Sequence, residues 1–178
     1  MFIVSLPPFQ DLIDAHWRDV ARLSHALVGP ADAEDVAQQA WTQALAAYPT
    51  LRSATNLRGW LLTITSRCAT DAHRSRARRA VPIESLPDSP PRSGLDPAAA
   101  VESRLAESGA SGLWAAVRAL PERQRAAIAL RYVVDLDHAD VARALGTTPG
   151  ATRRLVSDAL ARLRVTTTEA VDPPEESR

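Results

Sequence analysis

The sequence predicts an all-α protein of two small helical domains joined by a flexible Pro-rich linker, the second a helix-turn-helix domain. Three observations predict it. Apolar residues recur at helical spacing through two blocks, about 1–80 and 98–165. The stretch between them, VPIESLPDSPPRSGLDP (Val81–Pro97), holds five of the chain's 13 prolines, and no helix or buried strand survives that density. The segment Asp137–Arg164 reads as a short helix, a glycine turn and a longer helix, the helix-turn-helix pattern.

The elements follow in order. Phe9, Leu12, Ile13, Trp17, Val20, Leu23 and Leu27 share one stripe, which predicts a first helix ended by Gly29–Pro30. Asp32 is placed to cap a second helix, with Asp35 at the boxed position. Val36, Ala40, Trp41, Ala44, Leu45 and Tyr48 form its inner face, and Pro49 closes it. Asn56 caps a third helix with Leu57, Trp60, Leu61, Ile64 and Cys68 inward, running out as AHRSRARR. In the second block a helix is expected near Pro97–Ala119, broken by serines and glycines, and Pro121 suits the first turn of the next. Asp137 caps a helix boxed by Asp140, and Gly146 ends it. Thr148 caps the last helix with Pro149 at its first position, and Ala142 and Ala151 allow close approach of the two. Residues 166–178 read as a disordered acidic tail.

Composition bounds the function. Net charge is zero, but it is unevenly spread. Residues 1–80 carry nine arginines against seven acids, and residues 113–165 nine against five. Linker and tail are acidic. All 21 basic residues are arginine, whose planar fork suits phosphate or guanine. One cysteine, Cys68, excludes an internal disulfide, and its place on an apolar stripe makes it core rather than nucleophile. No apolar run is long enough for a membrane span, and MFIVSLPPF is too short and too poor in positive charge for a signal peptide, so a cytoplasmic location is expected. His16, His25, His73 and His138 are scattered without metal-ligand spacing, and there is no glycine-rich phosphate loop. The chain is therefore expected not to be an enzyme, with no cofactor, metal or small-molecule substrate.

Two segments resemble a known family. DAEDVAQQAWTQAL (Asp32–Leu45) with NLRGWLLTITSRCATDAHRSRARR (Asn56–Arg79) is similar to region 2 of the sigma-70 family of bacterial RNA polymerase sigma factors. LPERQRAAIALRYVVDLDHADVARALGTTPGATRRLVSDALARLR (Leu120–Arg164) is similar to region 4. The ordered pair on a Pro-rich linker resembles the extracytoplasmic-function (ECF) subfamily. The resemblance implies a factor that binds core RNA polymerase and directs promoter-specific initiation. Residues 1–80 would dock on polymerase through Asp35, Gln38, Gln39 and Trp41, then recognise and melt the −10 element through the loop Thr50–Asn56 and the helix after it. Trp41 also has the spacing of a core residue. Arg67, Arg74, Arg76, Arg78 and Arg79 would grip DNA as one stripe. Residues 98–165 would read the −35 element with Thr148, Arg153, Arg154 and Ser157. Leu155 and Asp158 depart from the family's more basic last helix, and Leu51 is the −10 loop's one large apolar residue. The implied partners are core polymerase, promoter DNA and an anti-sigma factor, with the free chain a monomer. Two alternatives stay open: a stand-alone helix-turn-helix regulator that binds an operator without polymerase, and a helical adaptor that contacts protein only.

Overall fold

The computed structural model describes residues 6–79 and 111–171, whose regular structure is helical throughout. The first unit is α1 (Phe9–Val28), α2 (Pro30–Ala47) and α3 (Leu57–Arg79). The second is α4 (Ser111–Ala119), α5 (Glu122–Ile128), α6 (His138–Leu145) and α7 (Pro149–Val171). The linker Val81–Pro97, most of the helix expected near Pro97–Ala119, and the end of the acidic tail lie outside the described residues.

Local chemistry explains most helix ends. Gly29 takes φ 79°, a left-handed value that suits glycine, and its N–H donates to the His25 carbonyl. The chain turns there and Pro30 opens α2 at once, so Asp32 is not the N-cap but lies inside the first turn. Proline's preset φ and missing N–H make it the better starter. Asp32 instead reaches across to Arg76 at 2.6 Å. Asn56 does cap α3: the Gly59 N–H donates to its Oδ1 at 2.8 Å. A Cβ on Gly59 would lie 2.7 Å from that side chain, so the cap closes only against glycine.

The scarce aromatic residues concentrate at one end of the first unit. Phe9 meets Tyr48 edge-on at 5.1 Å and Trp41 at 6.1 Å, and Tyr48 lies 6.2 Å from Trp60. The Tyr48 hydroxyl donates to the Pro7 carbonyl at 2.7 Å, and burial pushes its pKa up, helped by Asp11. Leu45, expected on the inner face, is instead 56% exposed. The buried stripe of α2 is narrow, Ala33, Val36, Ala40 and Ala44, and Leu45 falls on its far side.

In the second unit Pro121 stands just before α5 rather than in its first turn. From Ala129 to Val133 the helix loosens into a π turn, and the Leu136 N–H returns to the Leu130 carbonyl at 2.9 Å. Asp137 caps α6 through the Asp140 N–H at 2.7 Å. Gly146 ends it in the left-handed region at φ 59°, ψ 46°. Thr148 Oγ1 accepts from the Ala151 N–H at 3.2 Å and caps α7. Ala151 itself is exposed; close packing falls one position on, at buried Thr152. α7 continues to Val171, past the expected start of the disordered tail at 166. Nothing between Val165 and Val171 breaks a helix, and the first proline is Pro173.

The two units are more than tethered. Leu23, Leu61 and Leu62 of the first unit belong to one continuous core with Leu130, Val134, Leu136 and Val141 of the second. α6 lies along α3, and α1 packs on the π turn and on α4. Polar groups cross the same seam. Asn56 Nδ2 donates to Asp140 at 2.9 Å, and Arg58 joins Asp19 at 2.8 Å and the Val134 carbonyl at 2.5 Å. A smaller core of Val117, Leu120, Ile128, Val156, Ala159 and Leu163 holds α4, α5 and α7 together.

Candidate protein- and DNA-binding surfaces

α2 offers the first surface. Its inner stripe is mostly alanine, so it lies close to α1 and α3 and turns its polar residues outward. Asp35, Gln38 and Gln39 are all exposed. Gln38 Nε2 donates to Glu34 at 3.0 Å, which orients its amide. Trp41 is only partly buried, one edge against Phe9, and so serves the core while leaving an aromatic rim at the surface. Leu45 adds an uncovered apolar side chain seven residues after Gln38, on the same outward face. The sequence pattern missed it because an alternative stripe through Trp41 also includes Leu45. A groove of about 560 Å³ runs between α2 and α3, with Asp35 and Gln39 on one wall and Ser75, Arg76 and Arg78 on the other.

α3 does not carry its arginines as one stripe. Arg67, Arg74 and Arg78 recur at helical spacing on the exposed side, the second in a loose pair with Asp71 at 3.8 Å. Arg76 points the other way, into its ion pair with Asp32, so it braces α3 against α2 rather than extending the basic face. Arg79 is the last residue of α3, and its side chain is outside the described residues. In the loop before α3, Leu51 is partly buried against the core, so it is no platform for a base.

On α7, Thr148, Arg153, Arg154 and Ser157 are all exposed. Arg153 and Ser157 lie one turn apart and so share a face. Arg154 lies 4.0 Å from Asp158, one turn on. Leu155 is partly buried and packs against the smaller core, so it faces inward and does not displace a basic residue from the outer face. The start of α7 offers few free amides. Pro149 has no N–H, and the Ala151 and Thr152 N–H groups are taken by the Thr148 side chain and carbonyl.

The groups considered for chemistry take structural roles. Cys68 is buried, and burial with Asp71 nearby holds its thiol above the usual range, where it is a poor nucleophile. His73 Nε2 lies 3.0 Å from the Leu27 carbonyl and ties α3 to α1. Arg125 is desolvated yet donates to the Arg118 carbonyl at 3.1 Å, holding α4 to α5.

Comparison with known proteins matches both units. Residues 12–79 fit the family model of sigma-70 region 2, and residues 112–163 that of sigma-70 region 4. The ECF RNA polymerase sigma factor SigD of Mycobacterium tuberculosis is 32% identical over 152 residues, covering 82% of this chain and 70% of SigD. The fold is similar to the sigma factor RpoE of Bartonella quintana, solved with the anti-sigma factor NepR: TM-score 0.69, 24% identity, 90% of this chain and 96% of that one. It is also similar to CnrH, solved with the cytosolic domain of CnrY: TM-score 0.65, 21% identity, 90% and 87% covered. These complexes correct one expectation. One similar fold is solved with an anti-sigma factor and the other with the cytosolic domain of another protein, so the plain description "cytoplasmic" does not stand.

Proposed function

The chain belongs to the ECF group of the sigma-70 family, and from that premise we propose how its surfaces divide the work. It is a sigma factor, which directs RNA polymerase to promoters and is not itself an enzyme. In our reading residues 1–80 dock on core polymerase through the outward face of α2, with Asp35, Gln38 and Gln39 as polar partners and Trp41 and Leu45 as apolar anchors. The exposed arginines of α3, Arg67, Arg74 and Arg78, hold the backbone of the −10 region while the loop Thr50–Asn56 receives the opened strand. Residues 98–165 read the −35 element, with Arg153 and Ser157 of α7 toward base edges and Arg154 toward phosphate. An anti-sigma factor is proposed as a further partner, supported by the similar fold solved with one.

The observation that carries this division is the separation of the faces. An acidic and apolar surface on α2 and two arginine-bearing surfaces on α3 and α7 belong to different helices, so each can engage a different partner. Run-off transcription with purified core polymerase over genomic fragments tests it. Promoter-specific transcripts are expected only when the chain is present. Gln39→Ala and Leu45→Ala should weaken core binding, and Arg153→Ala should weaken promoter binding by the assembled enzyme. The division is wrong if the α2 variants bind core normally, or if Arg153→Ala leaves promoter binding intact.

A further inference from the structure

The last turns of α3 carry two of the arginines proposed to hold DNA, yet they add little to the core. Ala69 is the last buried side chain of α3 among the described residues. From Thr70 to Arg78 the helix runs on for about 12 Å, at 1.5 Å per residue. Ala72 still packs in part against the core, and polar contacts reach further. His73 Nε2 lies 3.0 Å from the Leu27 carbonyl, and Arg76 pairs with Asp32 of α2 at 2.6 Å. Asp32 stands in the first turn of α2, three residues before Asp35, and both line the groove between α2 and α3. One end of the pair therefore belongs to the helix proposed to hold polymerase. The other end sets the rotation of α3. At 3.6 residues per turn, Arg67, Arg74 and Arg78 each stand roughly 160–180° round the helix from Arg76. Tying Arg76 to α2 directs the other three to the opposite side.

We propose that Asp32 and Arg76 are positioning residues for promoter binding: their ion pair fixes the end of α3 against α2, so that the helix docked on polymerase also sets where Arg74 and Arg78 meet DNA. The inference rests on the functional reading of α2 and α3. The pair is poorly placed to act through stability. Its side chains are 62% and 31% exposed, a setting in which an ion pair adds little, and α2 is already held by Ala33, Val36, Ala40 and Ala44. Its effect is on geometry, where the apolar contacts of α3 have run out. Arg76 thus serves DNA through its neighbours rather than by its own contact. A direct phosphate contact by Arg76 makes the opposite prediction for Asp32, because removing the acid would free the guanidinium and lessen repulsion of DNA.

The test compares Asp32→Asn, which keeps shape and loses charge, with Asp32→Glu, which keeps the charge. Each full chain is assembled with core polymerase and titrated with a promoter fragment found by the run-off assay. Asp32→Asn should weaken promoter binding about 3- to 10-fold, the range of coupling within one polar network, with core affinity within about two-fold of wild type. Asp32→Glu should restore binding. In parallel, spin labels at Ala46→Cys and Ala77→Cys, both exposed positions, report the distance between α2 and the end of α3. Native Cys68 is buried, and the two single-cysteine variants serve as controls. The distance distribution should be narrow in wild type and Asp32→Glu and broad in Asp32→Asn. Promoter binding by Asp32→Asn at or above the wild-type level, or an unchanged distance distribution, overturns the proposal. Failure of the wild-type chain to direct any promoter-specific transcript counts against the functional reading instead, and the spin-label distances, measured without DNA, judge the pair independently of it.

Discussion

Asp158 bears on the strength of the DNA contact proposed for α7. It stands one turn from Arg154, at 4.0 Å, on the exposed part of α7. An acid there repels phosphate and competes for the guanidinium. Asp158→Asn is therefore expected to tighten binding of the assembled polymerase to −35 duplex DNA, while Arg153→Ala costs about 1–3 kcal/mol if the side chain meets a base. Titrations at two salt concentrations separate the effects, because a phosphate contact also changes the salt slope. His16 makes a second prediction at this scale. Desolvation holds its pKa below 6.5, with Arg58 adding to the effect and Asp19 opposing it. The unfolded chain therefore takes up the proton first. Stability is complete above the unfolded value and falls as pH drops below it. Thermal melts between about pH 7.5 and 5.5 should show a steeper loss for wild type than for His16→Gln. A pH-independent difference between the two proteins would contradict the assignment.

Both ends of α6 and the start of α7 rest on short-range devices, and these were legible before any tertiary contact. Asp137 on the Asp140 N–H and Thr148 on the Ala151 N–H are both read from spacing alone, because a cap acts only three residues ahead. Asp137→Ala and Thr148→Ala should each lower stability by about 1 kcal/mol, seen as a lower denaturant midpoint with an unchanged slope. Gly146→Ala should cost about 1–2 kcal/mol, because the left-handed φ is strained for any residue with a Cβ. The failures at this scale are also physical. Asp32 has good capping chemistry, but Gly29 and Pro30 had already started the helix two residues earlier. Leu45 and Ala151 have apolar side chains at helical spacing, yet both point outward, since spacing leaves the width of a buried stripe undetermined.

At the scale of the whole molecule, the shared core couples the units. Trp60 belongs to the first unit and Trp114 to the second, where its ring lies edge-on to buried His25 of α1 at 6.4 Å. Unfolding followed at Trp60 and at Trp114 should give one coincident transition. Leu130→Ala, which empties a site at 0% exposure, should shift both probes together by about 2–5 kcal/mol. Two separated midpoints would mean that the seam is too weak to join the units. The basic faces respond to the same packing. Arg67 and Arg74 line the interunit cleft, so access to the DNA face proposed for α3 depends on where the second unit sits.

The sequence by itself determined the helical class, the caps at Asn56, Asp137 and Thr148 and the two-unit order, because these depend on periodicity and on interactions within a few residues, while the family came from the resemblance of two segments. It also placed the candidate docking residues on α2 and arginines on α3 and α7. Tertiary structure decided which of those side chains are available. Arg76 is drawn to Asp32 and Leu155 to the core, while Leu45 is left outside. It also decided that the units close on one another, with Asn56 against Asp140 across 84 positions of chain. Such pairings arise from the shape and charge of whole faces meeting in space, and no local pattern in the chain encodes the distance between them.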